Sequence, residues 1–331
     1  MLRAILLVFS YSMIFASYTR VSAFEETYTF KDEALVQLAY SHLSYDNVGE
    51  LYWYITNHIT GITLGGKCAS ATYIGGRTCF ASAHCERKPA RFSLEPVSIH
   101  YEIASETAGQ EKKRYKVKNF ISHPNYEQNP KYDLAILILE KPVEGLKGLR
   151  ISDEFSNPLA YKDYQHILTY VGYGVRVFDN HYFLMADQKR RALRAYTQVR
   201  SYKPTELGIY STPYVQHNWT TTSRPLIAYE VGSRGGMSGG AVINANYELE
   251  GIIYGTLFPN ITWQQSLYNA MAFVISIIPS VIDACCYPMP YFASFPATSS
   301  PGTRTKSIPL APLKDWIESV QRQYGEDAHI I

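Results

Sequence analysis

The strongest constraint on the fold of this chain is a succession of short runs of β-branched and aromatic residues, each bounded by Gly, Pro, Asn or Asp. Such runs are typical of β-strands. Alternating βαβ units would instead place long helical patterns between the strands. The sequence therefore predicts an all-β fold, either a sandwich or a barrel. The runs span residues 51–63, 69–74, 97–103, 115–121, 134–139, 167–171, 192–201, 226–231, 240–243 and 249–255.

The first 23 residues have the pattern of a secretory signal peptide. Arg3 is followed by an apolar run at 4–16, too short to span a bilayer, and small residues at 21–23 precede the cleavage point. Removing Arg3 and Arg20 from the 31 basic residues leaves 29 against 29 acidic residues. A net charge near zero gives no attraction to nucleic acid or to a membrane surface. We therefore expect an exported protein, extracellular or periplasmic, that binds neither after signal removal.

The rest of the chain divides by composition. With 46% hydrophobic and 18% charged residues, a disordered chain and a multi-span membrane protein are both excluded. Apolar residues at helical spacing near the C-terminus predict a helix that docks on an apolar surface. The expected organisation is a signal peptide (1–23), an N-terminal region with a first β-domain (24–150), a second β-domain (151–286), a Pro/Ser/Thr-rich linker (287–312) and a helical tail (313–331).

Three separate segments carry residue types that together suit acyl transfer. His84 closes the run Cys79-Phe80-Ala81-Ser82-Ala83, Asp133 opens an apolar run, and Ser238 stands within Gly235-Gly236-Met237-Ser238-Gly239-Gly240. A serine hydroxyl is a weak nucleophile, so a neutral imidazole must take its proton as it attacks. A buried carboxylate must then orient the imidazole and stabilise its charged form. No one segment is specific alone, and the weight lies in their occurrence together.

The glycines around the serine suit the remaining requirement of this chemistry. Glycine permits a tight backbone turn, and such a turn can aim the amides of Gly236 and Ser238 at a carbonyl oxygen as it becomes negative. Ser238 is thus the candidate nucleophile, His84 the candidate base and Asp133 the candidate orienting acid. The amides of Gly236 and Ser238 are the candidate oxyanion hole.

At these positions the sequence resembles the chymotrypsin-like (trypsin-fold) serine proteases, over about residues 65–274. His84-Cys85 is similar to the family's Ala-Ala-His-Cys, and Asp133-Leu134-Ala135 to its Asp-Ile-Ala. Gly236-Met237-Ser238-Gly239-Gly240 resembles Gly-Asp-Ser-Gly-Gly, and Val171-Gly172-Tyr173-Gly174 resembles the Gly-Trp-Gly stretch that opens the second barrel. The resemblance implies two six-stranded antiparallel β-barrels of chymotrypsin type, here with a C-terminal linker and helix, and a site in the cleft between the barrels.

The resemblance also implies where a peptide substrate would bind. Aligned with the family, the base of the specificity pocket falls near Gly232 and Ser233, and Tyr254, Gly255 and Thr256 form the strand that pairs with an extended peptide. Because no carboxylate stands at the pocket base, we expect a small or apolar side chain to be preferred over Arg or Lys.

Five cysteines, an odd number, occur in a chain expected to be exported. The resemblance implies a disulfide between Cys68 and Cys85 across the histidine loop. Cys79, Cys285 and Cys286 have no counterpart in the family, so they either join the C-terminal tail to the barrel or remain thiols.

Two features depart from the family pattern. Met237 occupies the position of the acidic residue before the nucleophile, and no Ile-Val-Gly-Gly start precedes Cys68. In zymogens of the family that this sequence resembles, a freed N-terminus pairs with that acidic residue and shapes the oxyanion hole. This chain lacks the carboxylate, so the resemblance implies a site that either forms without this switch or is inactive.

The sequence as a whole predicts a secreted, monomeric serine endopeptidase that acts on polypeptides and needs no metal or organic cofactor. The alternatives are a protease-fold binding protein without catalysis and an esterase with the same triad. If the tail is an addition to the family fold, truncation after Pro290 leaves the barrels folded. If residues 313–324 are instead the family's terminal helix, displaced by an insertion, truncation destabilises the protein strongly.

Overall fold

The fold is known here from a computed structural model that describes twelve parts of the chain. They are residue 33 and residues 35–86, 97–107, 111–129, 132–152, 165–174, 176–177, 184–185, 189–198, 209–213, 236–257 and 304–325. The predicted signal peptide and the predicted strand at 226–231 lie outside these residues.

The first barrel is built from six antiparallel strands. They are β1 (Val48–Asn57), β2 (Thr63–Gly75), β3 (Thr78–Ala81), β4 (Val97–Ser105), β5 (Lys113–Ser122) and β6 (Ala135–Leu139). They are hydrogen-bonded in the order β1-β2-β3-β6-β5-β4, and β4 pairs with β1 to close the barrel. Strands β3 and β6 are buried over their whole length, because apolar residues fill both the barrel interior and the face that the rest of the protein covers.

The second barrel has the same connectivity. Its strands are β7 (Gln165–Gly172), β10 (Arg191–Gln198), β11 (Ile209–Pro213), β12 (Ala241–Ile243), β13 (Leu249–Leu257) and β14 (Arg304–Pro309), while β8 (Arg176–Val177) and β9 (Leu184–Met185) form a separate hairpin. Starting from β7, the order is first, second, third, sixth, fifth, fourth strand, as in the first barrel. The predicted fold of two six-stranded antiparallel barrels is therefore confirmed.

The first predicted strand, 51–63, is in reality the end of one strand and a turn. β1 ends at Asn57, whose side-chain Oδ1 accepts hydrogen bonds from the N–H groups of Ile59 and Thr60 at 2.8 and 3.0 Å. Gly61 then takes a φ of 69°. An Asn side chain that binds the backbone just ahead of it stabilises a turn, and the left-handed glycine completes the reversal into β2.

The predicted linker at 287–312 is wrong for its last part. Residues Arg304–Pro309 form β14, which pairs with β11 on one side and β13 on the other. Ile308 and Leu310 are fully buried. The polar composition of this segment hid the strand, because its place is decided by two partners distant in the sequence. The second barrel consequently extends beyond residue 286; residues 287–303 lie outside the described part.

The C-terminal helix (Lys314–Gln323) docks against the main apolar core, as its sequence pattern predicts. Ile317 is fully buried in that core, Val320 lies beside it, and the Trp316 ring contacts His123 of the first barrel with ring centroids 4.6 Å apart. Arg77 of the first barrel donates a hydrogen bond to the Tyr324 carbonyl at 3.1 Å. The helix thus contacts the first barrel, whereas β14, the strand that precedes it in the chain, belongs to the second barrel.

Truncation after Pro290 is therefore expected to abolish cooperative folding. The cut removes β14 and the C-terminal helix, including the fully buried Ile308, Leu310 and Ile317. Deleting one such side chain costs about 2–5 kcal/mol, and a domain has only about 5–15 kcal/mol in total. Thermal unfolding followed by circular dichroism measures the effect. A chain ending at Gly325, which retains both elements, is the control, and a cooperative transition in the shorter chain would contradict the expectation.

Candidate active site

His84 lies on a 3₁₀ turn (Ala83–Cys85) directly after β3. The turn is closed by backbone hydrogen bonds from Cys85 N–H to the Ser82 carbonyl and from Glu86 N–H to the Ala83 carbonyl. β3 is buried up to Ala81, and the chain turns away only where the barrel ends. The imidazole therefore stands at the barrel rim with 40% of its side chain exposed.

Asp133 holds His84 at two points. Its Oδ1 accepts a hydrogen bond from the His84 backbone N–H at 2.8 Å, and its Oδ2 lies 2.6 Å from His84 Nδ1. Asp133 lies two residues before β6 and is 5% exposed, and its carboxylate can only accept hydrogen bonds when ionised. Nδ1 is therefore the donor, which leaves Nε2 of the neutral ring as its basic nitrogen.

The surroundings of His84 change its affinity for a proton in opposite directions. Burial lowers the pKa of His84, but the hydrogen bond and charge of Asp133, together with the neighbouring Cys85, outweigh this and raise the pKa above the usual 6.5. Since the ring is partly exposed, solvent screens part of this gain. The histidine is consequently a stronger base than an isolated imidazole.

Ser238 lies in a tight turn just before β12. The turn is closed by a hydrogen bond from Gly240 N–H to the Met237 carbonyl at 2.8 Å. Gly239 has a φ of +84°, and a Cβ there would lie 2.0 Å from the Ser70 carbonyl oxygen, so only glycine fits. Among the described residues, none accepts a hydrogen bond from the Gly236 or Ser238 amide, as an oxyanion hole requires.

This turn of the second barrel rests on strands of the first. The Ser70 N–H of β2 donates to the Ser238 carbonyl at 2.7 Å, and the Cβ position of Gly239 lies 3.2 Å from Ala81 Cα, three residues before His84. The serine turn thus lies against β2 and the end of β3, the strand that leads into the histidine turn. β2 hydroxyl groups, which sequence reasoning missed, also bind this turn; Ser and Thr in a strand carry no signal of such a role.

Met237 explains how the turn is held without the family's acidic residue. Its side chain is 4% exposed and packs against an apolar cluster of the second barrel. That cluster consists of Leu168, Tyr170, Leu193, Val242 and Ile253, with Leu35 of the N-terminal region beside it. An apolar anchor needs no ionised partner, so the departure at this position is accommodated by packing.

The predicted substrate-binding residues divide between described and undescribed parts. Gly232 and Ser233 lie outside the described residues. Tyr254, Gly255 and Thr256 belong to β13. They follow Ile253, whose N–H donates to the Gly240 carbonyl and whose carbonyl accepts from Gly239 N–H. The strand proposed for substrate therefore begins directly beside the serine turn.

A cavity of about 440 Å³ is lined in part by His84. Glu86 and Glu127 also line it, and Ser122 donates a hydrogen bond to Glu86 Oε2 at 2.9 Å. The cavity is large enough for a side chain or a short peptide segment. Its lining consists of Ala83, His84, Glu86, Ser122, His123, Pro124, Tyr126 and Glu127.

The predicted Cys68–Cys85 disulfide is not formed in this structure. Both residues carry thiols and share one apolar cluster. The Cys68 thiol donates to the Leu51 carbonyl at 3.3 Å, at a bulge in the pairing of β1 with β2. Burial raises the pKa of the Cys85 thiol, which is therefore protonated at neutral pH. That the two join under oxidising conditions stays a prediction. Cys79 is also a thiol, whereas Cys285 and Cys286 lie outside the described residues.

Among the described residues there is no group of three or more His, Cys, Asp or Glu side chains arranged to hold a metal ion. Nor does the described part include a helix that is long and apolar enough to cross a membrane.

Comparison with known proteins places the chain in a family. The family model described as Trypsin matches residues 53–272, about two thirds of the chain. Among solved structures, the chain is similar to neuropsin, a serine protease expressed in the limbic system of mouse brain, with 12% identity, a TM-score of 0.48 and coverage of 82% of this chain and 93% of that one. No curated protein matches the chain. On the family match, this chain belongs to the trypsin family of serine proteases.

Proposed function

We propose that the protein is a secreted serine endopeptidase that cleaves peptide bonds through a covalent acyl-enzyme. Ser238 is the nucleophile, His84 the general base and then acid, and Asp133 the orienting carboxylate. The observation that carries the proposal is the double contact of Asp133 with the backbone N–H and Nδ1 of His84. A histidine held in one tautomer at a barrel rim is what proton transfer from a serine needs.

Acylation begins when the Ser238 hydroxyl attacks the substrate carbonyl carbon and its proton passes to His84 Nε2. Asp133 stabilises the imidazolium that forms. The carbonyl oxygen becomes negative, and the amides of Gly236 and Ser238 donate hydrogen bonds to it. When the C–N bond breaks, His84 gives its proton to the leaving amine, and the acyl group stays on Ser238.

Deacylation repeats these steps with water in place of the amine. His84 takes a proton from the water, the hydroxide attacks the acyl carbon, and the proton returns to the Ser238 oxygen as the carboxylic acid leaves. The atoms and protons balance over the cycle without a redox or metal partner. The proposal therefore adds no cofactor.

The substrate is a polypeptide bound in extended form along Tyr254, Gly255 and Thr256. The predicted pocket base at Gly232 and Ser233 offers no carboxylate, which favours small or apolar side chains over Arg or Lys. The predicted signal peptide supports an extracellular or periplasmic location, and the near-zero net charge of the mature chain gives no attraction to nucleic acid or to a membrane surface. We propose that the mature protein is a monomer.

A fluorophosphonate probe tests the proposal directly. Incubated with the mature chain, the probe is expected to phosphonylate Ser238, identified by mass spectrometry of the labelled peptide, and a diverse peptide library is expected to be cleaved. Heat-unfolded protein is the control, because labelling there would be non-specific. Labelling without peptide cleavage but with ester hydrolysis indicates an esterase. Failure of the folded chain to react with the probe, the library and esters would indicate a binding protein instead.

A further inference from the structure

A single residue of the first barrel binds the carbonyls of both residues whose amides form the proposed oxyanion hole. Ser70 donates from its backbone N–H to the Ser238 carbonyl at 2.7 Å and from its hydroxyl to the Gly236 carbonyl at 2.8 Å. Ser70 is fully buried on β2, so water does not compete for these bonds.

The direction of the Ser70 hydroxyl is fixed by a third hydrogen bond. The backbone N–H of Tyr173 donates to Ser70 Oγ at 2.8 Å, which occupies one lone pair of that oxygen. A hydroxyl has one proton, and with an N–H already directed at the oxygen, the proton points to the Gly236 carbonyl. Ser70 therefore connects Tyr173, the residue directly after β7, to the serine turn through hydrogen bonds.

Tyr173, which supplies that N–H, is itself held firmly. Its side chain is fully buried, and its hydroxyl donates to Glu106 Oε2 at 3.3 Å. The ammonium groups of Lys67 and Lys112 lie over its ring, 5.5 and 4.9 Å from the centroid. Because the ring and hydroxyl are fixed, the backbone N–H of Tyr173 has little freedom to turn away from Ser70.

Fixing a carbonyl restricts the amide on the same residue. The N–H and C=O of Gly236 flank one Cα, and Gly236 has a φ of +90° that glycine would otherwise leave easily. The Ser238 carbonyl is held by Ser70 as well, through its hydrogen bond from the Ser70 N–H. With both carbonyls bound to β2, the peptide units on either side of Gly236 and Ser238 have less freedom to rotate, which restricts the directions of the two amides.

We infer that Ser70 is a positioning residue for the oxyanion hole: its hydroxyl and N–H hold the Gly236 and Ser238 carbonyls so that the two amides converge on the substrate oxygen. This inference rests on the proposed function, because it assigns Ser70 no contact with substrate. Ser70 acts on the developing negative charge only through the backbone of the turn.

The neighbouring Thr72 provides a matched control. Two residues further along β2, its hydroxyl donates to the Gly239 carbonyl at 2.9 Å, so it binds the same turn with a bond of similar length. The Gly239 N–H, however, donates to the Ile253 carbonyl and not into the proposed oxyanion hole. Loss of the Thr72 hydroxyl should therefore weaken the attachment of the turn without turning either oxyanion amide.

The test compares Ser70→Ala and Thr72→Val in the full mature chain. We expect Ser70→Ala to lower kcat by about tenfold to a hundredfold with little change in KM, since a displacement of about 1 Å at a reacting group costs that much. Binding of a peptidyl boronic acid, whose tetrahedral adduct uses the oxyanion hole, should weaken in parallel. Thr72→Val should lower the melting temperature comparably while kcat falls far less.

Two further variants keep the test decisive. Ser70→Thr, which retains the hydroxyl, should restore kcat toward the original value. If Ser70→Ala does not fold, Ser70→Cys replaces it, and its weaker donor should give an intermediate kcat. An unchanged kcat in folded Ser70→Ala or Ser70→Cys, or equal losses of kcat in Ser70→Ala and Thr72→Val, overturns the inference. Absence of fluorophosphonate labelling in the unmodified chain instead overturns the proposed function.

Discussion

Replacing Ser238 with alanine is expected to lower kcat for peptide hydrolysis by about a millionfold, the size of the loss when the nucleophile is removed from other serine hydrolases. Alanine has no hydroxyl to attack the carbonyl, so no acyl-enzyme forms. The fold should survive, because the turn is held by the Ser238 carbonyl, Gly239 and Gly240 and not by the hydroxyl. Stopped and continuous assays with a sensitive peptide substrate measure the loss.

Ser41→Ala is the matched control for this substitution. Ser41 is exposed, and its hydroxyl donates only to the nearby Leu38 carbonyl, so its removal should leave kcat unchanged. Both variants should keep the melting temperature close to that of the unmodified protein. A Ser238→Ala variant that folds and retains most of its activity would assign the chemistry to another residue.

Replacing Asp133 with asparagine is expected to lower kcat by about ten-thousandfold. Asp133 accepts two hydrogen bonds from His84, one from the backbone N–H and one from Nδ1. An amide has one accepting oxygen, so its NH₂ group must face one of these donors. The arrangement that avoids this conflict turns the imidazole to the tautomer with Nε2 protonated, which cannot take the serine proton. Because the side chain is buried, solvent cannot relieve the mismatch.

The pH dependence of kcat/KM gives the same prediction a second measurement. Burial lowers the pKa of His84, but Asp133 and Cys85 raise it above 6.5 overall. Only the neutral ring is a base, so kcat/KM should rise with pH and level off above a pKa higher than 6.5. In Asp133→Asn the carboxylate is gone, and the midpoint of this rise should move to lower pH.

Protonation of His84 stabilises the fold, although it removes the base that activity needs. Because the folded-state pKa of His84 is raised, its protonation stabilises the fold at pH values below 6.5, and this stabilisation is lost as the pH rises through the raised pKa.

Glu86→Gln serves as the control for the kcat/KM profile, since Glu86 lines the cavity beside His84 and its carboxylate binds Ser122. It should leave the midpoint of the kcat/KM profile in place. An Asp133→Asn profile with an unmoved midpoint would contradict the assigned pairing.

Local patterns in the sequence were enough to predict most strands of the first barrel. The run at 134–139 corresponds to β6 and the run at 115–121 lies within β5, because their residue types favour extended backbone wherever they are buried. The short strand β3 was not predicted as a strand, although its residues were singled out for the histidine that follows. β14 was missed as well, since its Thr, Lys and Ser residues are paired only by strands distant in the chain.

The sequence by itself determined the fold class, the family and the identity of the candidate catalytic side chains, because strand propensity and motif composition are properties of neighbouring residues. Only the tertiary structure decided that β14 completes the second barrel, that Met237 anchors its turn in an apolar cluster, and that Ser70 binds the turn carrying Ser238. Each of these depends on contacts between segments far apart in the chain. Such contacts arise from packing and hydrogen bonding in three dimensions, which no local pattern records.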